Sequence, residues 1–127
     1  MKVEHIQAKD APAPGGSYSH GVAAHGFLYT CGMGPIDPAT GKIVDGGVAE
    51  QTRQTLKNLQ KILDVKGAKF EDVVKVTAHL QEVHRDFKAY DEVYREFFKA
   101  PFPVRTTVGS DLINILVEID FVVALVD

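Results

Sequence analysis

Arg105 and Glu118 stand where charge is least expected. Arg105 lies within Pro103-Val104-Arg105-Thr106-Thr107-Val108, and Glu118 within Leu116-Val117-Glu118-Ile119-Asp120. Both stretches are rich in β-branched and apolar residues, the composition of strands. A guanidinium held by a strand presents a rigid fork that matches the two oxygens of a carboxylate. A carboxylate held the same way can orient or activate a water. Two plainer readings compete. The two charges can pair with each other, or face solvent on an edge strand, since structural ion pairs are common and prove no function.

The remaining reactive side chains suggest less. The five histidines, at positions 5, 20, 25, 79 and 84, have no tight metal-ligand spacing, and His79 and His84 straddle a strand end. No metal is expected. There is no Gly-rich phosphate loop followed by Lys-Ser/Thr and no dinucleotide fingerprint. Cys31 is the single cysteine, which excludes an intrachain disulfide and suits a reducing compartment. A lone cysteine with no neighbouring histidine in sequence reads as a small hydrophobe rather than a nucleophile.

These groups must be positioned by one domain, spanning 1–127, because the chain is too short for two. Its hydrophobic content of 45% is ordinary for a globular protein. The core available at this size is modest, so association would help bury the remaining apolar faces. A net charge of −3 argues against a nucleic-acid binder. The first residues lack an apolar signal core and no run is long enough to span a membrane, which makes a cytoplasmic protein the expectation.

The elements follow from periodicity. Residues 1–7 suit a short strand and 8–16 a loop. Tyr18 to Ala24 and Phe27 to Cys31 read as strands joined at His25-Gly26, where a tight hairpin needs positive φ. Gly32 to Gly47 is a long loop dense in Gly, Pro and Asp. Val48 to Val65 is a helix with Thr52, Leu56, Leu59 and Leu63 on one face, closed by Lys66 and Gly67. Asp72 to Leu80 alternates as a strand, with Val74, Val76, Ala78 and Leu80 on one side. Asp86 is placed as the cap of a second helix whose apolar face is Phe87, Tyr90, Tyr94, Phe97 and Phe98. Pro101 and Pro103 stop that helix. Strands at about 103–109 and 115–125 complete the chain. In the last, Val117, Ile119, Phe121 and Val123 share a side, and Leu116, Val122 and Leu125 fall among them, so both faces read as largely apolar. The simplest packing is α+β, a sheet with two helices on one face.

The ordered motifs support a sharper reading. They are Gly16-Ser17-Tyr18-Ser19-His20, Cys31-Gly32-Met33-Gly34-Pro35, Asp37-Pro38-Ala39-Thr40-Gly41, Gln51 with Asn58, Asp72-Val73-Val74-Lys75-Val76-Thr77, Asp86-Phe87, Tyr94-Arg95-Glu96-Phe97-Phe98, Arg105 and Glu118. This series resembles the Rid family, also called YjgF or L-PSP, over about residues 16–124. The resemblance implies a chorismate-mutase-like fold, a six-stranded mixed sheet with two helices on one face, assembled as a homotrimer with ligand sites at the clefts between subunits.

It also implies an imine/enamine deaminase without metal or cofactor, acting on small 2-imino acids of the 2-aminoacrylate type. In that family the matching arginine, here Arg105, holds the substrate carboxylate. The matching glutamate, here Glu118, binds the attacking water. Tyr18 matches a tyrosine near the substrate. Cys31-Gly32 matches a Ser-Gly pair whose glycine amide helps hold the carboxylate, and Thr107 stands where many members have Cys. Asp91 replaces an asparagine, His20 a glutamine, Ser17 a proline, and Ile113 stands where a proline is usual. These departures border the expected cleft and put the preferred side chain in doubt. The alternatives are a non-catalytic trimeric module that binds 2-keto acids, a pathway-specific deaminase such as one for 2-aminomuconate, and a ribonuclease.

Overall fold

A computed structural model describes residues 2–125 of the chain. Strands β1 (Glu4–Ile6), β2 (Gly21–Ala24) and β3 (Phe27–Thr30) run antiparallel in series. The β2–β3 turn is His25-Gly26, with φ of 55° and 83°. That double positive-φ turn twists with the strands, as the sequence predicts. Strands β4 (Ile36–Asp37) and β5 (Lys42–Ile43) form a small separate ribbon inside the expected Gly32–Gly47 loop. Helix α1 spans Val48–Val65, matching its sequence-derived bounds. Its buried face includes Thr52, Leu56, Leu59 and Leu63, and adds Thr55 and Ile62. Full burial of each Leu or Ile side chain contributes about 1.5–3 kcal/mol. Gly67 at φ +66° ends the helix, and the Ala68 N–H donates back to the Leu63 carbonyl.

Strand β6 (Val73–Leu80) follows, then helix α2 (Val83–Phe97), β7 (Val104–Gly109) and β8 (Val117–Ala124). The sheet order is β1-β2-β3-β8-β6-β7. Only β6 and β7 pair in parallel, so the sheet is mixed. Both helices lie on one face, over Leu28, Val76, Ala78, Leu80, Val117, Ile119, Phe121 and Val123. The class is α+β, as expected. No helix among the described residues is long and apolar enough to cross a membrane.

Three local expectations fail. Val74 does not join the buried side of β6 and is 40% exposed. The register shifts between Val73 and Lys75, so a bulge inserts one extra residue and Val73 takes the buried place. Asp86 does not cap α2. The helix starts at Val83 with Glu82 as its N-cap, and the Asp86 N–H already donates to the Glu82 carbonyl. Asp86 is instead buried in the first turn, its carboxylate held by Arg85 Nε at 2.8 Å and Nη2 at 2.9 Å. Phe87 also departs from the expected apolar face of α2, being exposed, while Val93 is buried.

Candidate active site

The seven residues singled out by the sequence fall into two groups on opposite faces of the sheet. Strand β6 lies between β7 and β8 and fixes the parity. Arg105 pairs with Val76, which pairs with Phe121. Val76 and Phe121 are buried under the helices, so Arg105 is on the helix side. Val108 pairs with His79, and His79 with Glu118. Glu118 is therefore on the open face, and the two charges do not pair.

The first group gathers around Arg105. Its Nη1 donates to Asp91 Oδ1 at 2.7 Å, leaving Nε and Nη2 without a carboxylate partner among the described residues. Asp91 Oδ2 accepts from Arg95 Nη1 at 2.5 Å, one helical turn on. The Arg105 guanidinium lies over the rings of Tyr94 (4.5 Å), Tyr90 (5.4 Å) and Phe87 (5.6 Å). These rings restrict where the fork can point. Burial alone would weaken proton binding at Arg105, but the Asp91 bond and the neighbouring groups outweigh it and raise its pKa. Thr107 faces the same way, its Oγ1 3.3 Å from the Tyr90 hydroxyl. Burial pushes the Tyr94 phenol up, so it stays a neutral hydroxyl, and its oxygen has no hydrogen-bond partner among the described residues. Arg105, Asp91, Arg95, Tyr94, Phe102 and Pro103 line a groove of about 390 Å³.

The second group lines a larger concavity, about 790 Å³, that includes Tyr18, Cys31, Gly32 and Glu118. Two reciprocal backbone bonds between Met33 and Ile119, at 2.8 and 3.1 Å, hold the 31–34 segment along β8. Gly32 therefore lies against Glu118. A Cβ at position 32 would stand 2.7 Å from Glu118 Oε2, so only glycine leaves the carboxylate its place. The Glu118 carboxylate enters no ion pair among the described residues. Burial pushes the Cys31 thiol up to about 11; a backbone hydrogen bond opposes the shift, and the carboxylates of Glu118 and Asp120 add to it. At neutral pH the group is a thiol, consistent with a packing role.

Residues that sequence reasoning noted without a role turn out to brace this concavity. Asn58 Nδ2 donates to the carbonyls of Gly34 (3.0 Å) and Ile36 (2.8 Å). Gln51 Oε1 accepts the Leu116 N–H at 2.7 Å. Tyr18 lies outside the strand expected for it, in the loop before β2, with its hydroxyl accepting the Gly15 N–H at 3.0 Å. His20 ties that loop down: Nδ1 accepts the Ala8 N–H at 2.9 Å and Nε2 donates to the Pro12 carbonyl at 2.7 Å. A glutamine amide offers the same acceptor and donor. His20→Gln is therefore expected to cost less than about 1 kcal/mol, whereas His20→Ala strands two buried backbone groups and should cost about 2–4 kcal/mol. Urea unfolding of the two variants checks this.

A third cleft, about 700 Å³, lies near the C-terminal ends of the two helices, lined by Phe70, Phe97 and Phe98 among others. It contains none of the seven residues.

A sequence model of the family described as Endoribonuclease L-PSP matches residues 8–125. A RutC family protein of Pyrococcus horikoshii is 41% identical over 119 residues, covering 92% of this chain and 94% of that protein. A human protein named 2-iminobutanoate/2-iminopropanoate deaminase is 40% identical over 100 residues, covering 79% of this chain and 72% of that protein. The crystal structure of the Escherichia coli YjgF gene product superposes with a TM-score of 0.88 at 32% identity, over 95% of this chain and 98% of that one.

Proposed function

The chain belongs to the L-PSP family, the Rid/YjgF group, and on that premise we propose that it hydrolyses small 2-imino acids to 2-keto acids and ammonia. The reaction takes place in clefts between copies of the chain, arranged as a homotrimer. Arg105, with Thr107 and Asp91 beside it, comes from one copy. Glu118, Gly32, Cys31 and Tyr18 come from the next.

The division of the site supports this reading best. A carboxylate clamp and an unpaired carboxylate open on opposite faces of one sheet, and each is incomplete alone. The open face also carries uncovered apolar side chains, with Val104 66% and Tyr29 47% exposed. The Arg105 fork and the Gly32 N–H hold the substrate carboxylate. Glu118 holds a water against the imine carbon and takes a proton as the C–O bond forms. That proton passes to nitrogen. The carbinolamine hydroxyl then gives up its proton as the C=O bond forms, the nitrogen takes up a proton, the C–N bond breaks, and ammonia leaves a 2-keto acid. Such imines also hydrolyse unaided, so the protein need supply only modest acceleration. The net charge of −3 argues against RNA as the substrate.

Imino acids generated in situ by an amino-acid oxidase, with semicarbazide competing for them, test the reading. The protein is expected to suppress semicarbazone formation with several small amino acids. No effect on any of them, with 2-keto acids still binding, would replace the enzyme with a non-catalytic binding module.

A further inference from the structure

The Arg105 groove holds two guanidinium groups and one carboxylate. Arg105 and Arg95 share Asp91, each bonded to a different oxygen of it, at 2.7 and 2.5 Å. All three line the same groove, which leaves it one net positive charge. The side chains of Arg105 and Asp91 are 22% and 24% exposed, so solvent screens them only in part. A ligand with one carboxylate balances this groove's own charge, while the Glu118 carboxylate that the next copy would bring to the shared cleft adds only to the repulsion of further negative charge. A ligand with two brings an uncompensated negative charge next to Asp91. We propose that Asp91 sets the charge selectivity of the Arg105 clamp, admitting monocarboxylates and rejecting dicarboxylates. This rests on the reading of Arg105 as a carboxylate clamp.

The geometry makes Asp91 more than a strut. A strut needs only an acceptor at Oδ1, which an asparagine supplies without charge. The charge adds a like-charge penalty that grows with each further carboxylate on the ligand, and such repulsion is how a site discriminates against a wrong partner. Phe102 and Pro103 make much of the rest of the groove apolar, the Tyr94 hydroxyl is buried, and the donors left for a second carboxylate are the remaining Arg95 nitrogens, beside the Asp91 charge that Arg95 Nη1 already bonds. A diacid substrate such as 2-aminomuconate is disfavoured on this ground.

The test uses the intact protein and two stable probes, 2-oxobutanoate with one carboxylate and 2-oxoglutarate with two. Dissociation constants for wild type, Asp91→Asn and Arg105→Ala are measured by calorimetry at low and high salt. Wild type is expected to prefer 2-oxobutanoate. Asp91→Asn is expected to tighten 2-oxoglutarate by about tenfold and 2-oxobutanoate by less, with the difference shrinking as salt rises. An unchanged preference, or weaker binding of both probes to Asp91→Asn, would overturn the inference while leaving the deaminase reading intact, provided Arg105→Ala has lost binding. If Arg105→Ala binds both probes as wild type does, the clamp itself is wrong and this inference falls with it.

Discussion

Glu118→Gln is expected to lower imine turnover by about 10²–10⁴-fold, the range a positioned acid or base supplies, while 2-keto acid binding stays within about threefold of wild type. The substitution is well suited to the site. Glutamine has the same length and fits the same space against Gly32, where no Cβ intrudes. Val117 and Ile119 on either side are buried and hold the backbone of β8, so the fold has no reason to move. What is lost is a group able to take a proton from water. The carboxylate enters no ion pair among the described residues, so removing its charge strands no counter-ion. Single-turnover rates, corrected for spontaneous hydrolysis, separate this from a binding defect. A variant with full activity would make Glu118 a contact residue between copies and nothing more.

How much of this was readable in the sequence depends on the range of the interactions. Helix α1 and its Gly67 cap are set by local periodicity and one positive φ, and both were legible. So was the His25-Gly26 turn. The bulge at Val74 was not, because it depends on how β6 registers against β8. Asp86 before an aromatic looked like a cap, but the segment from Val83 completes the first turn upstream and buries it. The candidate site divides in the same way. Arg105 and Glu118 stand out as charges within strand-like apolar stretches, whereas Tyr18, Cys31, Gly32, Asp91 and Thr107 were found through their likeness to a family. That Arg105 pairs with Asp91, and that Asp91 also holds Arg95, was not read, although the spacing of four between Asp91 and Arg95 is a visible helical signal. The opposite faces of Arg105 and Glu118 were hidden too. Parity along one strand is local, but relating β7 to β8 requires knowing that β6 lies between them.

That last point yields the second large effect. Arg105→Ala alone should lose binding and turnover by at least about tens-fold, since each charge-assisted bond contributes about 1.5–3 kcal/mol. Mixing it with Glu118→Gln should then restore activity that neither variant has. In the proposed ring of copies, each cleft would take its arginine from one copy and its glutamate from the next. With equal amounts and free exchange, a cleft has both native groups when a Glu118→Gln copy supplies the arginine and an Arg105→Ala copy the glutamate. That arrangement occurs in about a quarter of clefts, so co-refolded mixtures should recover about a quarter of wild-type turnover. Were both groups to act within one chain, every copy would carry one defect and the mixture would stay as inactive as its parts. The register already argues against that outcome, because β6 places the two side chains on opposite sides of the sheet. Co-expression with two affinity tags, isolating hybrid assemblies before assay, removes any dependence on refolding. Recovery would show at once that copies associate and that both residues act in one shared cleft.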